Sequence, residues 1–160
     1  MLTLRKVGVV LAAAALLAAP MIASAQLADK KVLTLEAAKK VAAAATAESK
    51  KNNWYQVIAI VDDGGHLVYL ERPDDTQTGS VRIAIEKARS AAAFKRPTKV
   101  WEDALAGGRQ AVLGLSGAVP SEGGIPLMAG GKVLGAIGVS GGLAPQDGQV
   151  AKAGVDAMPK

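Results

Sequence analysis

The chain has 160 residues, of which 19 are Lys or Arg and 14 are Asp or Glu, and it contains no cysteine. The absence of cysteine excludes disulfides, thiolate catalysis, cysteine-ligated haem and cysteine-based zinc sites. The basic residues are scattered among acidic ones and are not interleaved with aromatics, so we expect no nucleic-acid partner. Aromatic residues make up only 3% of the chain. Its small core side chains each bury little apolar area, which favours a homo-oligomer.

The first 25 residues have the pattern of a secretory signal peptide. Arg5 and Lys6 supply the positive start, residues 7–19 the apolar stretch, and small residues ending at Ala25 the cleavage site. The mature domain is then residues 26–160, with 17 basic and 14 acidic residues and a net charge of +3. The apolar stretch is shorter than the roughly 20 residues of a membrane span. We therefore expect an exported protein, periplasmic or extracellular, with no stable membrane anchor after cleavage. An uncleaved signal anchor is the alternative.

The mature chain begins with a helix and a hairpin. Apolar residues at helical spacing after the potential N-cap Thr34 predict a helix over Leu35–Lys51. Residues 55–61 are almost continuously apolar, which is typical of a buried central strand. The Asp-Gly signal within residues 62–65 predicts a tight turn, and residues 66–72 the returning strand.

The second half repeats this alternation of helices and hairpins. Its patterns predict helices over Gly79–Phe94, Lys99–Ala106 and residues 145–158, a turn and an extended segment over residues 109–120, and strands over residues 125–129 and 133–139. Within each pair, consecutive strands are joined by a hairpin turn and not by a βαβ crossover. The sequence therefore predicts a single α+β domain with an antiparallel sheet and helices packed on it.

The glycine-rich stretch over residues 123–142, GGIPLMAGGKVLGAIGVSGG, is the most informative part of the chain. Gly130 and Gly131 suit a tight hairpin turn. Gly135 and Gly138 lie inside the second apolar run, and a glycine within a strand marks a bulge or the close approach of a ligand or another backbone. Both explanations are open for these two glycines.

Four blocks of sequence carry a family resemblance. They are the glycine-rich stretch, VDDGGHLVYLER over residues 61–72, IAIEKARSAAAFKRPT over residues 83–98 and APQDGQVAKAG over residues 144–154. In this order they resemble the GlcG/HbpS family of small haem-binding proteins, also described as haem-degrading domains. The resemblance extends from about residue 33 to residue 158. It implies a profilin-like α+β fold, a haem or related tetrapyrrole cofactor, and assembly into oligomers.

His66 is the only histidine, so any histidine ligand to haem iron must be this residue. A neutral imidazole leaves one nitrogen free to coordinate a metal. The alternative is a solvated polar side chain at the mouth of a hairpin. Other oxygen or sulfur ligands remain open and have ordinary structural explanations: Tyr55, Tyr69, Met128, Ser90 and Thr98.

Basic residues that could hold the two haem propionates cluster around the second predicted helix: Arg72, Lys87, Arg89, Arg96 and Lys99. Arginine binds a carboxylate with two hydrogen bonds, and lysine binds it as a point charge. The resemblance selects Lys87 and Arg96 from this group. With His66, Gly135 and Gly138 they form the predicted cofactor site. The alternative for these charges is a solvated helix face.

These observations lead to an exported haem-binding protein as the first hypothesis, acting as a haem carrier, buffer or sensor accessory. A second hypothesis is an enzyme that degrades haem, in which the cofactor's iron supplies the chemistry and the protein positions the ring. A third is an oligomeric scaffold, or a binder of another ligand such as a corrinoid. Ser116, Ser121 and Ser140 have no local base partner, so hydrolysis is not supported.

Overall fold

The computed structural model describes residues 29–159. The elements follow in the order α1 (Leu35–Lys51), β1 (Val57–Asp62), β2 (Leu67–Glu71), α2 (Gly79–Phe94), α3 (Lys99–Ala106), a 3-10 segment (Gln110–Gly114), β3 (Gly124–Ala129), β4 (Lys132–Ser140) and α4 (Ala144–Asp156). The strands form one antiparallel sheet in the order β2-β1-β4-β3. The predicted α+β fold with an antiparallel sheet is confirmed.

The helix bounds predicted from local sequence signals agree with the structure to within two residues. Helices α1, α2 and α3 occupy the residues predicted for them, and the Thr34 hydroxyl accepts a hydrogen bond from the Ala37 backbone N–H at the start of α1. Helix α4 begins one residue before the prediction and ends two before it. Strand β1 begins at Val57 and not at Tyr55, because its ladder to β4 starts at the pairing of Val57 with Ser140.

Strand β1 is buried on both faces because alternate residues enter two different layers. Ile58 and Ile60 pack with α1 and α4 in the larger core cluster. Val57 and Val61 point to the opposite face, where alanines of α2 pack against them. Helices α1 and α4 therefore cover one face of the sheet, and α2 covers the other.

Helix α2 approaches β4 closely because both surfaces carry small residues. A Cβ on Gly138 would overlap the backbone carbonyl of Ala84 and lie 2.6 Å from the backbone nitrogen of Ala88. A Cβ on Gly135 would overlap the carbonyl of Val61 in the neighbouring strand. Both glycines thus allow the close approach of another backbone, which is the packing alternative of the sequence analysis.

The predicted signal peptide, residues 1–25, lies outside the described residues. Within residues 29–159, no helix is both long and apolar enough to cross a membrane.

Candidate functional site

An open groove of about 530 Å³ runs between β2 and α2, and we call it the β2–α2 groove. It exists because β2 is the edge strand, whereas α2 packs over β1, β4 and β3. Its lining comes from one residue of β2 and from the start and outer face of α2: Leu67, Thr78, Val81, Arg82, Ile85, Glu86 and Arg89.

The groove has an apolar floor and a charged rim, in which Glu86 pairs with Arg89. Val81 and Ile85 pack with Leu70 against the sheet, and Leu67 remains 47% exposed. Arg82 and Arg89 are exposed at the rim. An open apolar surface with a few convergent charged groups is the usual form of a small-molecule site.

Arg89 also fixes the β1–β2 turn to α2. Its Nε donates a hydrogen bond to the Gly65 carbonyl oxygen at 3.1 Å, and its Nη1 lies 3.0 Å from Glu86 Oε1. The turn that carries His66 is therefore held at one end of the β2–α2 groove.

His66 lies between Gly65 and the groove residue Leu67, and its side chain is 83% exposed. Its Nδ1 lies 3.3 Å from the Asp62 carboxylate. The backbone N–H of His66 lowers the pKa of the Asp62 carboxyl, and the backbone N–H of Gly64 adds to this effect. The ionised carboxylate favours a proton on Nδ1, which leaves Nε2 free to bind a metal from solvent.

The five predicted site residues do not come together. His66 lies beside the β2–α2 groove, and Arg96 is exposed after α2, where its guanidinium carbon lies 5.2 Å from the centre of the Trp101 ring. Lys87, Gly135 and Gly138 are buried by the protein itself, so within this chain no cofactor on the surface could touch them. Gly135 and Gly138 pack closely against neighbouring backbones, and Lys87 pairs with a buried carboxylate, so the predicted contact of these residues with a cofactor has no surface on which to occur.

Lys87 is only 1% exposed and forms a buried ion pair with Asp147 of α4, with 2.8 Å between Nζ and Oδ2. The other oxygen of Asp147 accepts hydrogen bonds from Gln56 Nε2 at 2.9 Å and from the Gly142 backbone N–H at 3.0 Å. Ser49 Oγ lies 3.0 Å from Gln56 Oε1. The network therefore joins α1, α2 and α4 through the sheet.

A glycine makes room for this ion pair where β4 ends and β3 begins. A Cβ on Gly123 would lie 3.0 Å from Lys87 Nζ, 2.9 Å from Asp147 Cβ and 2.6 Å from the Val139 carbonyl oxygen. A sequence signal for the pair existed, because Lys87 interrupts the alanine stripe that forms the buried face of α2. No local pattern in the sequence points to Asp147 or Gln56 as partners of this lysine.

The sequence profile of the family described as "Haem degrading protein HbpS-like" matches residues 33–156. The chain belongs to this family. Among curated relatives, Protein GlcG of Escherichia coli K12 is 42% identical over 87 residues, which cover 54% of this chain and 65% of GlcG. The match thus spans less than two thirds of the GlcG sequence. An uncharacterized 15.0 kDa protein from the dhaT-dhaS intergenic region of Citrobacter freundii is 36% identical over 105 residues, 62% of this chain and 73% of the relative.

Solved structures share this HbpS-like fold. Klebsiella pneumoniae ORFY superposes with a TM-score of 0.76 at 30% identity, covering 84% of this chain and 97% of ORFY. A double mutant of Streptomyces reticuli HbpS gives 0.76 at 31% identity, covering 84% and 92%. PduOC, solved as a complex with haem, gives 0.73 at 27% identity, covering 79% and 95%. The family resemblance found in the sequence is confirmed.

Breaking the buried ion pair is expected to be costly. Lys87→Met should lower the free energy of unfolding by about 3–5 kcal/mol, because it leaves the Asp147 carboxylate buried without its counter-charge. Urea denaturation measures the change. The matched control is Lys152→Met, which removes a lysine paired with Asp156 where both side chains are more than 60% exposed. That change should cost less than about 1 kcal/mol. Equal effects of the two variants would contradict the assigned role of Lys87.

Proposed function

We propose that this HbpS-like protein binds haem in the β2–α2 groove. The observation that carries the proposal is the apolar floor of the groove, with the only histidine of the chain at one end and two arginines at the rim. The haem complex of PduOC and the description of the family support a tetrapyrrole as the ligand.

The residues of the groove suit the different parts of haem. Its volume of about 530 Å³ is within the roughly 300–1,000 Å³ typical of small-molecule sites. Leu67, Val81 and Ile85 provide an apolar surface for the ring. Arg82 and Arg89 take the place of the buried Lys87 as partners for the propionates, and Arg96 remains a further candidate.

We assign His66 as the iron ligand through Nε2. The Asp62 carboxylate orients the imidazole through Nδ1, in the manner of the outer partners that hold metal-ligating histidines. Haem, when bound, supplies the redox chemistry of its iron. The residues of this chain hold the ring, orient the imidazole and pair the propionates.

We propose a carrier, buffer or sensor accessory in preference to an enzyme. The β2–α2 groove is open, and a site that is open to water suits reversible loading better than chemistry that needs water excluded. Haem degradation is the second candidate, because the family description names it. Adding a reductant and O₂ to the haem complex distinguishes a carrier from a haem-degrading enzyme. The enzyme should lose its Soret band over repeated turnovers, whereas the carrier should retain it.

Hemin titration of the mature chain tests haem binding. We expect a saturable, shifted Soret band. His66→Ala should change the band and weaken binding by at least about tenfold, the lower end of the loss seen even for outer partners of metal ligands. Arg82→Gln should weaken binding without moving the band, because Arg82 lies at the rim and does not contact the turn that carries His66. Lys152→Gln, on the opposite face of the sheet, is the control of equal charge and should have no effect.

Each outcome of this titration has a definite meaning. If the Soret band is unchanged in His66→Ala, haem binding stands and the iron ligand is a tyrosine, a methionine or a hydroxyl, the candidates being Tyr55, Tyr69, Met128, Ser90 and Thr98. No saturable shift in the unmodified chain would overturn haem binding in favour of a corrinoid or a scaffold role.

We also propose export through the signal peptide at residues 1–25, supported by Arg5, Lys6 and the small residues before the expected cleavage site. In a Gram-negative host, the periplasmic fraction should contain a chain whose intact mass equals that of residues 26–160, which begin at Gln26. Ala23→Arg should block processing, because the cleavage site requires a small residue there. A full-length mass in the unmodified chain would support the signal-anchor alternative.

We further propose self-association through the β2 edge of the sheet. The β3 edge is closed, because the backbone of Gly124 exchanges hydrogen bonds with Thr98 and because Pro126 has no N–H to offer. The β2 edge is largely apolar, contains no proline and pairs with no further strand among the described residues. Sedimentation velocity should therefore give a multiple of the monomer mass. A monomer at every concentration tested would contradict the proposal.

A further inference from the structure

We propose that the chain has a second ligand site, separate from the β2–α2 groove, which takes a single-ring aromatic carboxylate. The site is a cavity of about 160 Å³ at the C-terminal end of α1. Trp54, Tyr55, Ile58 and Pro73 supply its apolar walls, and Lys50 lies at its rim. None of its lining residues lines the β2–α2 groove, so this inference is independent of haem binding.

The cavity is preformed because local hydrogen bonds fix the end of α1. Asn53 adopts a left-handed backbone with φ of 56°, which turns the chain away from the helix. The backbone N–H groups of Asn52 and Trp54 both donate to the Ser49 carbonyl, and Ser49 Oγ lies 2.9 Å from the Trp54 carbonyl oxygen. The Trp54 backbone is therefore held by the folded chain before any ligand arrives, and its side chain packs against the larger core cluster.

The size and walls of the cavity select a single aromatic ring. An apolar cavity of about 150 Å³ admits benzene, and this one is of similar volume. A tetrapyrrole is far too large for it. Aromatic rings pack favourably in offset or edge-to-face arrangements, which Trp54 and Tyr55 offer to a planar ligand.

The charges around the cavity select an anion. Lys50 is the only charged residue of the lining. Within the described chain no ion pair involves Lys50, whereas Lys51 lies 3.7 Å from Glu48. The polar ends of Ser49 and Gln56 already have partners in the network around Asp147. The Thr46 hydroxyl, in contrast, is buried at the lining without a hydrogen-bond partner among residues 29–159, so one polar group here is left for a ligand or a water.

The fluorescence of Trp54 can report ligand binding in the cavity. In the full chain carrying Trp101→Phe, it is the only tryptophan. Titration with benzoate should change its fluorescence saturably, with a dissociation constant on the order of 0.1–1 mM for so small a ligand. Benzylammonium, with a similar ring and the opposite charge, should bind at least about fivefold more weakly.

Two neighbouring lysines give a matched pair of variants. Lys50→Gln should weaken benzoate binding about fivefold, the scale of an exposed charge pair. Lys51→Gln should leave it unchanged, because Lys51 does not line the cavity. If Trp101→Phe does not fold, calorimetry on chains that retain Trp101 makes the same comparison.

The proposal is overturned by a fluorescence change that does not saturate, by equal binding of benzylammonium, or by equal effects of the two lysine variants. It is also overturned if Trp54 emission follows protein concentration and benzoate does not compete, because a second copy of the chain then fills the cavity.

Discussion

The buried ion pair between Lys87 and Asp147 is the constraint on which the two layers of the molecule depend. Lys87 comes from the helix on one face of the sheet, and Asp147 from a helix on the other. Neither charge could remain in the interior alone, since burying an unpaired charge is strongly unfavourable. Asp147 also accepts hydrogen bonds from Gln56 and from the Gly142 backbone, which ties the start of β1 and the end of β4 to the same carboxylate.

Close packing of α2 on β4 has a consequence for the candidate site. Glycine in the strand and alanines in the helix bring the two backbones together, and this places α2 over the middle of the sheet. The edge strand β2 is then only partly covered on that face, where Leu70 packs with Val81 and Ile85 and Leu67 stays exposed. The same small residues that build the core therefore leave the groove in which we propose that haem binds.

In the β1–β2 turn, one carboxylate both closes the backbone turn and lies beside the imidazole of His66. The Asp62 carboxylate accepts the N–H groups of Gly64 and His66, which both closes the turn and keeps the acid ionised beside the imidazole. Arg89 holds the turn against α2. The turn that carries His66 is thus held in place, while the imidazole remains exposed to solvent. The cavity at the end of α1 is built in the same way, by local hydrogen bonds around Ser49.

The amino-acid sequence by itself determined the helices, the hairpins, the α+β class and the family. These features depend on short-range signals, such as the Thr34 cap, the Asp-Gly turn and the spacing of alanines in α2, which lie within a few residues of the elements that they define. The tertiary structure alone decided which residues can reach a ligand. The position of Lys87 in the alanine stripe of α2 signals burial, but it does not indicate the partner, Asp147, which lies 60 positions away. From the sequence, Gly135 and Gly138 are equally compatible with contact to a ligand and with close packing. Such outcomes depend on how α2 lies against the sheet, and that is set by long-range contacts that no local pattern records.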